Sequence, residues 1–335
     1  MTYRSPRAAV LTGIGSWLPP DELTNAELES RFDTTDEWIR SRTGIASRRR
    51  VSPGVSTSDL AVEAGLRALK SSGQDSVDAV VLATTTPDEL CPATAPQVAA
   101  RLGLGTVPAF DVSAVCAGFL YGLTTAAGLI ATGAADRVLL IGAEAFTTLI
   151  DPGDRSTAAI FGDGAGAVVL RAGDPGEPGA IGPVVLGSDG SHSELAEVPA
   201  GGARRRVSTS EAAPYLRMQG REIFRHAVRR MTAACRTATE AAGWQLADVE
   251  RLVAHQANIR IVTAVADGLG IPPERRASNI ERVGNTAGAS VPVLLAEENA
   301  SGGLVAGQRV LLTAFGGGLA WGAATLVWPA LTTAE

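Results

Sequence analysis

Phe110-Asp-Val-Ser-Ala-Val-Cys-Ala-Gly-Phe119 is the stretch on which the reading of the fold turns. It reads as the end of a buried strand that breaks abruptly into a helix of small residues. Cys116 stands at the junction. The first N–H groups of a helix have no intrahelical partner and lie at the positive end of its dipole. A thiol there is expected to have a lowered pKa and nucleophilic thiolate character. The competing reading is a small, inert, buried apolar residue, the common fate of a free cysteine. This stretch alone leaves both open.

The surrounding chain has 335 residues, 45% of them hydrophobic and 19% charged. These are ordinary globular proportions. At this length single cores begin to split, so two domains or one duplicated domain are expected. The formal net charge of -6 leaves no overall basic footprint for nucleic acid. Cys91, Cys116 and Cys235 are odd in number and widely spaced. They argue against a disulfide framework or a zinc site and for a reducing compartment. Residues 1–7 lack the apolar run of a signal peptide. The longest uncharged apolar helix, expected over 117–135, is broken up by glycines and reads as a core helix, not a membrane span. A soluble cytoplasmic protein is the expectation.

Outward from Cys116, strands and helices alternate. Strands are expected at 8–15, 77–83, 108–113, 137–142, 165–170, 252–255, 308–313 and 323–327. Helices are expected from Asn25, at 33–40, 56–72, 95–102, 117–135, 221–242, 258–268 and 288–300. Arg48-Arg-Arg50 reads as a basic turn, Arg204-Arg-Arg206 as exposed, 171–183 as a linker, and 184–218 as strands and loops. The halves repeat. Arg137-Val-Leu-Leu matches Arg309-Val-Leu-Leu, an offset of 309 − 137 = 172, and Leu252-Val-Ala falls on Val80-Val-Leu at the same offset. Ala165-Gly-Ala-Val-Val-Leu resembles Gly322-Ala-Ala-Thr-Leu-Val, an offset of 322 − 165 = 157. Cys116, shifted by 172, lands on Gly288. Two α/β halves, 1–173 and 174–335, are therefore expected, with pseudo-twofold related loops meeting at a shared cleft.

Three histidines exist. His226 falls inside an amphipathic helix and reads as a surface or boundary residue. His192 sits in a loop with no obvious partner. His255 ends an apolar strand, where ligand sites of parallel sheets gather, although a satisfied polar residue is the commoner fate of such a histidine. Asn285, in Gly284-Asn-Thr-Ala-Gly-Ala-Ser290, reads either as a turn asparagine or as a side chain facing the cleft. Phe315-Gly-Gly-Gly-Leu-Ala-Trp-Gly322 follows a core strand and lets backbone approach a ligand, so an N–H there is a candidate oxyanion donor. Phe161-Gly-Asp-Gly-Ala-Gly-Ala167 lacks the dinucleotide spacing and leads into a strand, which excludes a Rossmann reading.

Asp36-Glu-Trp-Ile, Arg42-Thr-Gly-Ile, Cys116-Ala-Gly-Phe, the Phe161 run, His255-Gln-Ala-Asn-Ile-Arg-Ile, Gly284-Asn-Thr-Ala-Gly-Ala-Ser-Val-Pro and Phe315-Gly-Gly-Gly together resemble β-ketoacyl-acyl carrier protein synthase III. The resemblance implies a thiolase fold, two pseudo-twofold halves in a five-layered αβαβα arrangement. It implies an acyltransferase that condenses an acyl-CoA primer with malonyl-acyl carrier protein, starting fatty acid or polyketide chains. A dedicated starter-unit ketosynthase or acyltransferase of a secondary pathway is the alternative. It implies Cys116 as the acylated nucleophile, His255 and Asn285 as its partners, and the N–H groups of Cys116 and Gly317 as the oxyanion hole. Trp38, Arg42 and Arg155 are implied as CoA contacts, Phe224 and Asn258 along the pantetheine, Cys91 and Phe161 at the acyl pocket, and a homodimer as the assembly. Arg225 and Arg260 are candidates for docking an acidic carrier protein. No metal or redox cofactor is implied; the CoA thioester and the phosphopantetheinyl carrier are substrates. Two departures stand out. Asp267-Gly268 replaces two lysines of similar proteins, and Cys91 replaces a Phe or Thr.

Overall fold

Apolar runs with no polar face become central strands, and the helices between them cover both sides of the sheet. The computed structural model describes residues 7–207 and 214–333. Residues 1–6, most of the N-terminal stretch read above, and 208–213, within the strands and loops expected at 184–218, lie outside the described residues, as do 334–335.

In the first half, β1 (Ala8–Trp17) leads into a small hairpin of β2 (Asp21–Thr24) and β3 (Ser47–Arg50), whose connection carries α1 (Asn25–Glu29) and α2 (Asp36–Thr43). Then follow α3 (Thr57–Ser72), β4 (Ala79–Ala83), α4 (Ala95–Arg101), β5 (Ala109–Val112), α5 (Gly118–Thr132), β6 (Arg137–Glu144), α6 (Arg155–Ala158) and β7 (Gly164–Gly173). The second half has β8 (Ile181–Ser188), β9 (Ala196–Glu197), β10 (Arg217–Met218), α7 (Gly220–Ala241), β11 (Arg251–Ala254), α8 (Ile259–Leu269), α9 (Ile280–Val283), α10 (Ser290–Ser301), β12 (Arg309–Gly316) and β13 (Ala320–Val327). The irregular connection between halves is 174–180, shorter than the expected 171–183, because β7 continues to Gly173 in register with β1.

The first sheet has the order β1-β7-β6-β4-β5 and the second, read from β8, the order β8-β13-β12-β11. β4 runs parallel to β5 and β6, and β11 parallel to β12; the other pairs in these sheets are antiparallel. The two orders superpose strand for strand. The fifth position is reduced in the second half to one parallel bridge, Leu252 with Arg276. Its counterpart is Val80 with Ala109, at the offset 252 − 80 = 172.

Register confirms the repeat and corrects one part of it. Leu82 pairs with Ile141, and Ala254 with Thr313, so both strands keep the offset of 172. Val138 pairs with Leu170, and Val310 with Leu326, so the last strands are offset by 326 − 170 = 156, not 157. A one-residue slip exchanges the two faces of a strand. Both strands are buried on both faces over most of their length, so apolar likeness could not reveal the slip.

α5 and α10 lie between the sheets. α5 packs on β4 and β6 of one and on β8 and β13 of the other; α10 packs on β1 and β7 and on β11 and β12. α3 and α4 cover the outer face of the first sheet, α7 and α8 that of the second. The result is the five-layered αβαβα arrangement. A central-layer helix must be apolar all round. This is why Val115–Thr132 is long and apolar enough to cross a membrane, yet here packs with Phe119, Leu120, Leu123 and Ile130 in the core. Each such side chain contributes about 1.5–3 kcal/mol by leaving water.

α1 starts at Asn25 as expected, and one local reading, that of Arg48, changes. The cap of α1 is Thr24, whose hydroxyl accepts from the Glu27 N–H, while the Glu27 carboxylate accepts from the Thr24 N–H at 2.8 Å. Arg48 does not belong to a basic turn. It lies in β3 with 0% exposure, and its guanidinium donates to the Leu23 and Ala159 carbonyls and to Asn25 Oδ1. Those acceptors come from two separate segments, residues 23–25 and Ala159, which is what allows a guanidinium to be buried there.

Candidate active site

Cys116 follows β5 through Val115, which has a left-handed backbone (φ 48°), and sits in a single 3-10 turn, Val115–Ala117, that runs directly into α5. His255 is the first residue beyond β11, held by its N–H to the Thr313 carbonyl at 2.8 Å. Asn285 is stitched to the other half. Its N–H donates to the Ile160 carbonyl and its own carbonyl accepts from the Gly162 N–H, both at 2.9 Å. Asn285 Oδ1 accepts from the Ala287 N–H at 2.9 Å, which leaves the side-chain NH2 as the group free to serve the cavity. Gly316, at the end of β12, lies so close to the cysteine that a Cβ there would stand 2.7 Å from the Cys116 nitrogen.

Cys116, His255, Asn285, Asn258, Phe161 and Gly317 all line one cavity of about 130 Å³. Its remaining walls are largely apolar, from the α7 residues Ile223, Ala227 and Met231 and from Phe146, stacked on Phe161 at 4.6 Å. A second cavity, of about 720 Å³, shares Val115, Phe146, Ala196 and Leu216 with the first.

The electrostatics depart from the expectation for a thiol at a helix end. Burial first, then the charge of Glu144, push the Cys116 thiol up to about 12, against a smaller lowering by its own backbone N–H. Removing an anion from water outweighs the fractional charge of one helix end. Burial also pushes His255 down to about 3, so its imidazole is neutral at ordinary pH, and its Nδ1 has no hydrogen-bond partner. The resting site is uncharged: a thiol, a neutral imidazole and a carboxamide in an apolar cavity.

The other candidates lie in several places. Asn258 caps α8, its Oδ1 accepting from the Ile261 N–H at 3.0 Å. Trp38 is flanked by Arg155 at 4.8 Å and Arg42 at 5.4 Å from its ring centre. Arg155 therefore stacks on Trp38 directly. Phe224 does not line the cavity. The helical turn aims Ile223 and Ala227 inward, while Phe224 lies beside Arg260, 5.9 Å from its ring centre. Arg225 is exposed and paired with Glu222 at 3.2 Å; Arg260 is exposed. Asp267, at the first departure, pairs with Arg276 at 2.6 Å. Cys91 is exposed and does not line the cavity of its own chain. His192 is not partnerless: its Nδ1 lies 3.3 Å from Asp189, and its ring lies 4.7 Å from that of His226.

Glu144 was missed. It is fully buried between the Thr84–Thr86 loop and the start of the turn before α10, and burial lifts its pKa to about 7. The available signal was the repeat itself, which lays Glu144 on Gly316.

A duplicated αβαβα sandwich with a cysteine, a histidine and an asparagine brought from its two halves to one apolar cavity is a thiolase fold carrying a cysteine site. The family model for 3-oxoacyl-[acyl-carrier-protein] synthase III matches residues 110–190, and that for its C-terminal part matches residues 239–328. The chain is 61% identical to β-ketoacyl-[acyl-carrier-protein] synthase III 3 of Streptomyces coelicolor, over 97% of this chain and 98% of that protein. The crystal structure of 3-oxoacyl-(acyl carrier protein) synthase III from Pseudomonas aeruginosa PAO1 superposes with a TM-score of 0.92 at 48% identity, over 97% of this chain and 100% of that one. The priming β-ketosynthase of the R1128 polyketide biosynthetic pathway superposes with a TM-score of 0.92 at 36% identity, over 98% of each chain. The chain belongs to the 3-oxoacyl-[acyl-carrier-protein] synthase III family.

Proposed function

We propose that this enzyme condenses an acyl-CoA primer with malonyl-acyl carrier protein through an acyl-Cys116 intermediate. The observation that carries the reading is the convergence of Cys116, His255 and Asn285 on one cavity. Cys116 sulfur attacks the thioester carbonyl of the primer, with the N–H groups of Cys116 and Gly317 as oxyanion donors. The CoA thiolate departs and takes up the proton released from the Cys116 thiol. Malonyl-acyl carrier protein then enters. The C–C bond to its carboxylate breaks, carbon dioxide leaves, and the electron pair forms an enolate whose oxygen accepts from His255 and Asn285. The enolate carbon attacks the acyl-Cys116 carbonyl. The Cys116 thiolate leaves and takes one proton from solvent, and β-ketoacyl-acyl carrier protein is released. Neutral donors suit an enolate in this cavity because they stabilise developing charge without a resident ion. The scheme uses no metal or redox cofactor.

Further assignments belong to the same reading. The half 1–173 supplies the nucleophile, and 174–335 supplies His255 and Asn285. Trp38, Arg42 and Arg155 receive the CoA nucleotide, Asn258 the pantetheine, and Arg225 and Arg260 the acidic carrier protein. Phe161 bounds the acyl chain. Cys91, beside the 69% exposed Leu90, meets a second copy in a cytoplasmic homodimer and closes its acyl pocket. The similarity to a polyketide-priming enzyme supports a second reading, a starter-unit enzyme of a secondary pathway.

The test is intact-mass measurement after mixing with acetyl-, isobutyryl- and hexanoyl-CoA, followed by carbon dioxide release from malonyl-acyl carrier protein. Acylation at Cys116 with carbon dioxide release is expected. Acylation that persists in Cys116→Ala, or turnover without carbon dioxide, overturns the assignment. The primer preferred, and the carrier protein accepted, separate the two pathways.

A further inference from the structure

The fold contains a second, non-catalytic copy of the site's backbone. At the offset of 172 verified by strand register, Cys116 falls on Gly288, His255 on Ala83, Gln256–Asn258 on Thr84–Thr86, and Gly316 on Glu144. A side chain at 316 would run into the Cys116 N–H. The side chain that is present at 144 runs to the matching N–H of Gly288. Glu144 Oε1 accepts from Gly288 N–H at 3.3 Å and from Thr85 N–H at 3.2 Å; Oε2 accepts from Thr85 N–H at 3.1 Å, Thr86 Oγ1 at 2.9 Å and Thr84 Oγ1 at 3.5 Å. Its carboxylate thus takes the counterpart of the Cys116 N–H; the counterpart of the Gly317 N–H, that of Ala145, donates instead to Thr86 Oγ1 at 3.0 Å and Thr57 Oγ1 at 3.2 Å.

The Gly288 turn carries the condensing side chains on both flanks. On one, the Ala287 N–H holds Asn285 Oδ1 at 2.9 Å. On the other, Ser290 Oγ accepts from Gln256 N–H at 2.8 Å, directly after His255. We propose that Glu144 is a positioning residue for condensation: by accepting from the Gly288 N–H, the pseudo-symmetric copy of the Cys116 N–H, and from the Thr84–Thr86 loop, it anchors the Asn285–Ser290 turn to the first half, and through that turn it sets Asn285 and the His255 loop relative to Cys116. Glu144 does not touch the cavity; apart from the raising effect of its charge on the Cys116 thiol, it acts through these neighbours.

This inference rests on the assignment of decarboxylation and condensation to His255 and Asn285. Glu144→Gln keeps the shape and one carbonyl acceptor, and its NH2 can donate to the threonine hydroxyls. The two half-reactions are measured separately: acyl transfer from acetyl-, isobutyryl- and hexanoyl-CoA by intact mass, and carbon dioxide release from malonyl-acyl carrier protein. The expected result is a kcat for carbon dioxide release lowered about 10–100-fold, with acyl transfer changed less than about threefold. Equal losses in both half-reactions, or no loss in either, overturn the role of Glu144. If Glu144→Gln does not fold, Thr86→Val removes the 2.9 Å donor at constant shape and is expected to show the same split at about 3–10-fold; its absence overturns the proposal equally. Failure of the unmodified enzyme to release carbon dioxide would strike the condensation reading itself, which separates the two outcomes.

Discussion

Val115 and Ala287, 172 positions apart (287 − 115), share a left-handed backbone with φ of 48° and 44°, and they are the only non-glycine residues with positive φ among those described. Each begins the 3-10 turn that opens a central-layer helix. For residues with a Cβ this conformation costs about 1–2 kcal/mol. The cost is retained twice because the turn brings the next N–H, that of Cys116 or of Gly288, out of the helix ladder and toward a site. One faces the catalytic cavity; the other is capped by Glu144.

The two turns differ in room. Ala287 has 0% exposure, whereas Val115 lines the cavities. Ala287→Gly is expected to stay within about 1 kcal/mol of the parent, since relief of the left-handed cost offsets added chain entropy. Ala287→Val is expected to lose about 1–3 kcal/mol by overpacking, although valine is the native residue at the equivalent turn. Urea denaturation of both variants checks this.

Gly316→Ala would set a methyl 2.7 Å from the Cys116 nitrogen and 3.2 Å from that of Ala117. The proposed oxyanion donor is then displaced. Acylation by acyl-CoA should slow about 10²–10³-fold, and the backbone clash should cost about 1–3 kcal/mol of stability. Single-turnover acylation followed by intact mass makes the comparison.

His255→Ala and Asn285→Ala should still form acyl-Cys116 at rates within about tenfold of the parent. Carbon dioxide release should fall by about 10² or more in each, because the enolate loses a donor made useful only in the transition state. Equal loss of both half-reactions would contradict the division of roles.

Stability should depend on pH in two opposite ways. Folded His255 binds a proton only near pH 3, against 6.5 for the unperturbed side chain. Its neutral burial is therefore fully tolerated above about pH 6.5. Between there and pH 3 unfolding takes up a proton, and stability is lost as pH falls, by at most about 1.4 kcal/mol per pH unit. Cys116 keeps its proton to about pH 12 in the fold and to 9.0 when unperturbed. Its contribution is fully present below pH 9 and is lost as pH rises from there. Denaturation series should show the acid slope reduced in His255→Asn and the alkaline slope reduced in Cys116→Ser.

Much of the architecture was legible along the chain. Runs such as 137–142 and 308–313 are apolar on both faces and could only be central strands. Asn258 followed by an amphipathic stretch announced α8, and the repeated Arg-Val-Leu-Leu announced the duplication. What escaped was whatever depended on a partner distant in sequence. The 157 offset slipped by one because nothing in two-sided apolar strands distinguishes their faces. Arg48 looked like a solvated turn because its acceptors, Leu23, Asn25 and Ala159, come from elsewhere. Phe224, implied beside the pantetheine, packs next to Arg260, while Ile223 of the same helix forms the cavity wall, a division that only the rotation of α7 sets.

By itself, then, the sequence determined the duplicated strand–helix alternation and the all-apolar central helix, because periodicity and capping are local properties of a chain; the cysteine, histidine and asparagine were singled out by the resemblance of their motifs to a known family. Only the tertiary structure decided that Cys116 rests as a thiol beside a neutral His255, and that Glu144 takes the Gly288 N–H, the second copy of the Cys116 N–H. Both follow from desolvation and from hydrogen bonds made across the interface of the two halves, and those energies exist only once the halves have closed on each other.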